Sequence, residues 1–345
     1  MATNTTPTEK SVNQEEEEKA KSQTDVVSDE ASESDEEEEE EAGGPGVQEI
    51  PPRNLPPIDL NPDDLDVDLN HRRIEKIEGF EKLTQIETLC LRQNLIKKLE
   101  NLEGLTTLTE LDVYDNALTK IENLETLVNL TILDLSFNKI RKLEHLDTLV
   151  NLQKLFVIHN KISSIRSLSN LSQLTMLELG DNRIVKLENF DSLVNLESLF
   201  VGKNKISKLE NLGPLKKLKV LSIQSNRITK LEGLDELESL EELYISHNGI
   251  QKLENLQCNV NLTTLDLASN RISRIENVGH LTNLEEFWFN GNQLDHWSDI
   301  EQLKNATKLQ TVYFEHNPIA KDPMYRKKIK LTLPSLTQID ATFTR

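Results

Sequence analysis

Twelve residues of this 345-residue chain recur at an almost constant spacing and carry side chains suited to protein recognition. Neighbours are 22 residues apart except for the last pair, which are 25 apart. In order they are Asp68, Cys90, Asp112, Asp134, Phe156, Glu178, Phe200, Ser222, Tyr244, Asp266, Trp288 and Tyr313. Five are aromatic, five are acidic and none is basic, although aromatic residues make up only 4% of the chain. Aromatic anchors beside carboxylates are typical of surfaces that bind proteins with apolar pockets and basic groups.

The same chain offers no comparable arrangement for catalysis or for metal binding. It contains no C-x-x-C, no H-E-x-x-H, no Gly-rich phosphate loop and no G-x-S-x-G. Acid pairs such as Asp112 and Asp134 favour a solvated acidic face over a metal site, and nothing around Cys90 indicates a lowered thiol pKa. We therefore expect a protein that is not an enzyme and needs no cofactor.

The formal net charge of −20 is concentrated near the N-terminus. Residues 1–60 have a net charge of −14, which leaves only −6 for the other 285 residues. A phosphate backbone binds to clustered Lys and Arg side chains, so this excess of negative charge argues against nucleic acid as a partner. The chain has no signal-peptide pattern, no apolar run long enough to span a membrane, and only two distant cysteines. These features predict a reducing compartment, the nucleus or the cytoplasm.

Residues 1–60 are predicted to form a disordered acidic tail and a proline-rich linker. The run "SDEEEEEEA" at 34–42 repels itself, and the tail has few large apolar side chains to bury. The segment "PPRNLPPIDLNP" at 51–62 is typical of an extended linker. Ser28 and Ser34 precede acidic residues, as the substrates of acid-directed kinases do, and are hypothetical phosphorylation sites. The alternative is a solubilising tail without a switch.

A 22-residue repeat of the form L-x-x-L-x-L-x-x-N-x-[IL] positions the twelve residues, as in "LTILDLSFNKI" at 130–140. With a degenerate first copy at 67–74 and a last one at 309–319, there are twelve repeats within 61–319. Each L-x-L is predicted to be a short strand that stacks in parallel on the next coil and points its Leu side chains inward. Eleven asparagines should bond backbone groups at the turn after each strand: Asn94, Asn116, Asn138, Asn160, Asn182, Asn204, Asn226, Asn248, Asn270, Asn292 and Asn317.

The predicted fold class is an α/β-type leucine-rich-repeat solenoid with a parallel concave β-sheet and a 3₁₀ or irregular convex side. Residues 320–345 break the period and are predicted to form a C-terminal cap. A capping helix is indicated by apolar residues at helical spacing, followed by Pro334: Tyr325, Ile329, Leu333 and Leu336. Trp297, in the longer insert before the last repeat, is predicted to pack under this cap.

Side chains alternate along a strand, so the residue between two buried positions must point out of the concave face. The predicted partner-binding residues are Asp112, Asp134, Phe156, Glu178, Phe200, Tyr244, Asp266, Glu286, Trp288 and Tyr313. Aromatic residues should dominate the affinity, and acids should steer the partner. The alternative is that the aromatic rings only pack against one another. Phe287, Phe289 and Phe314 occupy the inward positions and are predicted to be core.

Residues 65–345 resemble the leucine-rich-repeat regulatory subunits of protein phosphatase 1. The resemblance lies in the regular repeats, the aromatic and acidic column, and four phrases: "LCLRQNLIK" (89–97), "LESLFVGKNKI" (196–206), "EEFWFNGNQL" (285–294) and "NPIAKDPMYRKKIKLTLPSLTQIDATFTR" (317–345). It implies a nuclear and cytoplasmic subunit that binds the phosphatase catalytic subunit and controls its maturation, localisation or activity, including during mitosis. It leaves open a third regulatory protein in the same complex.

The family resemblance also bears on how the partner docks. Most phosphatase partners use a basic-Val-x-Phe motif, which this chain lacks, so the concave face is the implied docking surface. Any catalytic metal ions would belong to the partner. A second hypothesis is an acidic nuclear chaperone or histone-binding leucine-rich-repeat protein, in which the acidic tail would carry the binding.

Overall fold

A computed structural model describes residues 60–344. The predicted tail, apart from its last residue, and the hypothetical sites Ser28 and Ser34 lie outside the described residues. Twelve three-residue strands run parallel in chain order within one sheet. They are β1 (Asp66–Asp68), β2 (Thr88–Cys90), β3 (Glu110–Asp112), β4 (Ile132–Asp134), β5 (Lys154–Phe156), β6 (Met176–Glu178), β7 (Ser198–Phe200), β8 (Val220–Ser222), β9 (Glu242–Tyr244), β10 (Thr264–Asp266), β11 (Glu286–Trp288) and β12 (Thr311–Tyr313).

The core lies directly beneath the centre of each strand. Leu199, at the middle of β7, is fully buried and pairs in register with Leu177 and Leu221 on the neighbouring strands. Apolar residues at the other repeat positions continue the same core from coil to coil. Phe287, Phe289 and Phe314 are fully buried, as predicted. Each coil therefore buries its apolar face only because it has neighbours, which fixes the stacking register.

The repeated asparagines join consecutive coils. Asn182 is a typical case, since its Oδ1 accepts the backbone N–H of Ile162 at 3.0 Å. Its Nδ2 lies 2.9 Å from the carbonyl oxygen of Val157 and 3.1 Å from those of Leu179 and Gly180. All eleven predicted asparagines accept a backbone N–H of the preceding coil in this way, which confirms their structural role. We call this set the asparagine ladder.

A second set of asparagines shapes the convex side and was missed in the sequence. Asn123 adopts a left-handed backbone with φ of 59° and donates its Nδ2 to the carbonyl oxygen of Leu99 at 2.6 Å. The same bond to the preceding coil recurs in five other repeats, at Asn101, Asn189, Asn211, Asn255 and Asn277. Asparagine tolerates positive φ better than most residues, which explains its choice at this turn. The convex side is otherwise irregular, with 3₁₀ segments at Phe80–Lys82, Trp297–Leu303 and Pro318–Lys321.

The C-terminal cap contains the predicted helix, α1 (Tyr325–Thr332), and two short strands, β13 (Gln338–Ile339) and β14 (Thr342–Phe343). β13 extends the sheet in parallel, and β14 returns antiparallel to it. Asp340 takes the part of a ladder asparagine, because its Oδ1 accepts the backbone N–H groups of Phe314 at 2.9 Å and Glu315 at 3.1 Å. The Trp297 ring lies 6.3 Å from that of Tyr325, so its predicted position under the cap is confirmed.

Candidate protein-binding site on the concave sheet

The twelve recurring residues form a column along the concave face. Each is the last residue of its strand, from Asp68 on β1 to Tyr313 on β12. The registers place them side by side, so that Phe200 has Glu178 on one side and Ser222 on the other. We call this row the concave column.

Aromatic residues occupy alternate strands over the C-terminal half of the concave column. Phe156, Phe200, Tyr244 and Trp288 lie on β5, β7, β9 and β11 and are all half-buried. Two strand spacings separate consecutive rings, about 10 Å. Among the described residues, the only ring contact within the column joins Trp288 and Tyr313, whose centroids are 5.5 Å apart. Mutual ring packing therefore does not account for Phe156, Phe200 or Tyr244.

Three of these aromatic side chains are held by polar bonds. Tyr244 donates its hydroxyl to Glu242 Oε2 at 2.5 Å, and Trp288 donates its indole N–H to Glu286 Oε2 at 3.2 Å. The hydroxyl of Tyr313 accepts the Gln338 side-chain amide at 2.8 Å. Burial, together with the Glu242 charge, raises the pKa of Tyr244, so its phenol stays a donor. Fixed rings beside carboxylates lose little side-chain entropy on binding, which favours affinity.

Two acids of the column differ from expectation. The solvated acidic face predicted for pairs such as Asp112 and Asp134 is wrong for Asp112, which is buried with an exposed fraction of 6%. Asp266 is also buried, with an exposed fraction of 2%. Their Oδ1 atoms accept backbone N–H groups two residues on, from Tyr114 at 3.0 Å and Ala268 at 2.9 Å. The short aspartate side chain folds back onto its own turn, which satisfies a backbone donor and hides the carboxylate. Their predicted role in partner binding remains untested, and their position indicates that they shape the turn.

Asp134 makes the same local bond but stands in a charged cluster. Its Oδ1 accepts the backbone N–H of Ser136 at 2.8 Å, and its Oδ2 lies 3.5 Å from Arg92 Nη2. The Arg92 Nε also pairs with Asp112. Burial and the neighbouring Asp112 charge raise the pKa of Asp134 to about 6, despite the opposing effects of Ser136 and Arg92. This carboxyl can therefore change its charge near neutral pH.

The remaining candidates lie as follows. Glu178 and Glu286 are half-buried on β6 and β11. Cys90 is half-buried, and burial raises the pKa of its thiol, opposite to what a reactive nucleophile requires.

Among residues 60–344, no group of three His, Cys, Asp or Glu side chains could hold a metal ion. Within the same residues, no helix is long and apolar enough to cross a membrane.

Beside the column runs a rim of stacked side chains that spans five coils. The Arg92 guanidinium lies 5.2 Å from the Tyr114 ring centroid, and the centroids of Tyr114 and Phe137 are 4.8 Å apart. Phe137 stacks on His159 at 4.8 Å, and His159 Nδ1 lies 2.6 Å from Asp181 Oδ2. The five side chains come from five different repeats, and only the stacking of the folded coils joins them into one rim.

Comparison with known proteins supports the fold. Family models described as leucine-rich repeats match residues 237–343, residues 194–250, and two further stretches at 106–148 and 172–214. The fold is a leucine-rich-repeat solenoid. A solved internalin, InlF from Listeria monocytogenes, superposes with a TM-score of 0.67 at 25% identity over 81% of this chain and 87% of that chain. The solenoid prediction is thereby confirmed.

The sequence relatives match a much shorter stretch of this chain than the solved structure does. Protein phosphatase 1 regulatory subunit 7 of Homo sapiens is 60% identical over 52 residues, which are 15% of this chain and 14% of that protein. Protein phosphatase 1 regulatory subunit SDS22 of Schizosaccharomyces pombe is 50% identical over 52 residues, 14% of this chain and 16% of that protein. The matched segment thus spans about one seventh of each of these relatives.

Proposed function

We propose that this chain is a non-catalytic regulatory subunit that binds the catalytic subunit of protein phosphatase 1 through the concave column. It would control the maturation, localisation or activity of that enzyme, with or without a third regulatory protein in the complex. Residence in the nucleus and cytoplasm, and phosphorylation at Ser28 and Ser34, are part of the same proposal.

The observation that carries the proposal is the series of half-buried aromatic residues on alternate strands. Phe156, Phe200 and Tyr244 have no ring partner among residues 60–344, so their exposed faces are available to another protein. Interface affinity is usually concentrated in a few such aromatic anchors. The proposed partner comes from the names of the relatives, in which the matched segment covers 14% and 16% of the protein.

The test is titration calorimetry of the full chain against the purified phosphatase catalytic subunit. A Phe200→Ala/Trp288→Ala variant should lose most of the binding, because both rings face the partner. The matched control is Val185→Ala/Val194→Ala, which trims two exposed apolar side chains outside the column. Circular dichroism must show equal folding of all three proteins. Equal affinity of the ring variant and the control would refute docking on the concave column.

The chaperone hypothesis makes a different prediction for the same preparations. Replacing the glutamates of the acidic run at 36–41 with glutamine should abolish binding of basic proteins such as histones if the tail carries the function. The phosphatase proposal expects this variant to keep its affinity for the catalytic subunit. Histone binding that depends on the tail, with no phosphatase binding, would favour the chaperone.

A further inference from the structure

Although the net charge of the solenoid is small, the charged side chains of one row are all basic. The residue directly after the ladder asparagine is basic in six repeats and acidic in none between Leu95 and Arg271. The six residues, which we call the basic stripe, are Lys139, Lys161, Arg183, Lys205, Arg227 and Arg271. The stripe lies on the flank of the solenoid just past the strands, so it is separate from the concave column.

Backbone hydrogen bonds align the stripe from coil to coil. The N–H groups of Arg183, Lys205 and Arg227 each donate at 2.8 Å to a carbonyl oxygen of the preceding coil. Neighbouring stripe residues are therefore about 4.8 Å apart at the backbone, and the six coil steps from Lys139 to Arg271 cover about 29 Å. Five of the side chains are exposed and Lys161 is half-buried.

The stripe cations differ in their ion pairing from other basic side chains of the solenoid. Among residues 60–344, none of the six takes part in an ion pair. In three repeats, by contrast, the lysine three residues after the stripe position pairs with a glutamate on the convex side. Those pairs are Lys208 with Glu210 at 3.6 Å, Lys230 with Glu232 at 3.6 Å and Lys252 with Glu254 at 3.7 Å.

The solenoid itself does not require a positive charge at these positions. Leu95, Ala117 and Gly249 occupy the same place in other coils, and their N–H groups make the same bond to the preceding coil. Like charges at the same position of adjacent coils repel each other, so a row of them works against folding. The row gains stability when an anionic partner neutralises it.

The shape of the stripe selects the kind of anion. In each repeat from Lys97 to Ser273, the residue two positions after the stripe position is neither aromatic nor acidic, so it offers no ring on which a base could stack. The aromatic side chains of the rim already pack on one another. A single extended acidic chain suits the stripe, because the six basic residues follow one line about 29 Å long.

We propose that the basic stripe is a docking site for an extended acidic segment of a partner protein, separate from the site on the concave column. The probe is a labelled oligoglutamate of about twelve residues, which at about 3.4 Å per residue is long enough to follow the stripe. Its binding to the full chain is measured by fluorescence anisotropy at low ionic strength, since salt screens exposed charges.

Two triple variants separate the stripe from general charge. Arg183→Gln/Lys205→Gln/Arg227→Gln should weaken oligoglutamate binding at least about tenfold. It removes three cationic contacts with the probe at once, and a few such contacts together account for about one factor of ten in affinity. Lys208→Gln/Lys230→Gln/Lys252→Gln removes three charges that are already paired and should stay within about twofold of the parent chain. Thermal melts by circular dichroism check that both variants fold.

Three results would overturn the proposal. The first is the absence of oligoglutamate binding by the parent chain, and the second is an equal loss of binding in both triple variants. The third is tighter stripe-dependent binding of oligothymidylate or duplex DNA than of oligoglutamate, which would assign the stripe to nucleic acid. Because the triple variants leave the concave column intact, phosphatase binding measured in parallel tests the proposed function independently.

Discussion

Trp288 and Glu286 lie two residues apart on β11, and the indole N–H donates to the carboxylate at 3.2 Å. The ring is thus fixed on the concave face with a negative charge at its edge. The same relationship joins Tyr244 and Glu242 on β9, two strands away. An aromatic anchor held beside a carboxylate suits a partner surface that places a basic group next to an apolar pocket.

The Trp288 pair gives the first prediction. Trp288→Ala should weaken binding of the phosphatase catalytic subunit by about 2 kcal/mol, since it removes a large, pre-positioned ring. Glu286→Gln keeps an acceptor for the indole and removes only the charge, so it should cost less than about 1 kcal/mol and act mainly on the association rate. Surface plasmon resonance at two salt concentrations separates the two effects. Equal losses for both variants would contradict this division of roles.

The asparagine ladder gives a prediction about stability. Asn182→Ala removes four hydrogen bonds in a buried site and leaves the Ile162 N–H without its acceptor. The cost should be about 3 kcal/mol, measured by urea denaturation. The control is Asn151→Ala, whose exposed side chain makes one bond to the carbonyl of Val128 at 2.9 Å and should cost at most about 0.5 kcal/mol. Similar midpoints for both variants would show that the ladder contributes little.

Asp134 gives a prediction about pH. Its folded-state pKa of about 6 lies above the unfolded value near 3.8, so the folded chain holds this proton more tightly. As pH rises from about 4 to about 6, the folded state binds more protons than the unfolded one, and stability falls. Asp134→Asn should therefore stabilise the protein above pH 6, by at most about 3 kcal/mol, and make no difference below pH 4.

Denaturant titrations of the parent chain and Asp134→Asn at several pH values provide the measurement. The control is Asp191→Asn, which removes a carboxylate at an exposed position. A gain for Asp134→Asn that is the same at pH 4 and pH 7.5 would mean that titration of this carboxyl is not its source.

Asn259 gives a prediction of increased stability. It occupies a fully buried position where neighbouring coils have Leu237 and Leu281, and its Oδ1 has no hydrogen-bond partner among the described residues. Its Nδ2 donates to the carbonyls of Leu234 and Leu237, but both already accept a backbone N–H. Asn259→Leu should stabilise the protein by about 1–2 kcal/mol.

Thermal and urea melts of Asn259→Leu, compared with the exposed control Asn261→Leu, test this expectation. The control should stay within about 0.5 kcal/mol of the parent chain. A loss of stability in Asn259→Leu would indicate that a bound water satisfies the Oδ1 in solution.

The sequence by itself determined the solenoid. The regular 22-residue repeat determines which Leu side chains face the core, because these side chains can be buried only between stacked coils. Alternation along each strand identified the concave column, and apolar residues at helical spacing identified the cap helix at Tyr325. Each of these features depends on a local pattern, either within one repeat or within the short segment that follows the last one.

Only the tertiary structure decided what the individual column residues contact. The burial of Asp112 and Asp266, the clamp of Arg92 on two aspartates and the separation of the aromatic rings depend on side chains from coils 20 or more residues apart. The role of Asp340 in place of a ladder asparagine also required the folded cap, since no repeat marks it. Periodicity specifies the direction in which a side chain leaves the backbone, whereas burial and pKa depend on the neighbours that it meets there.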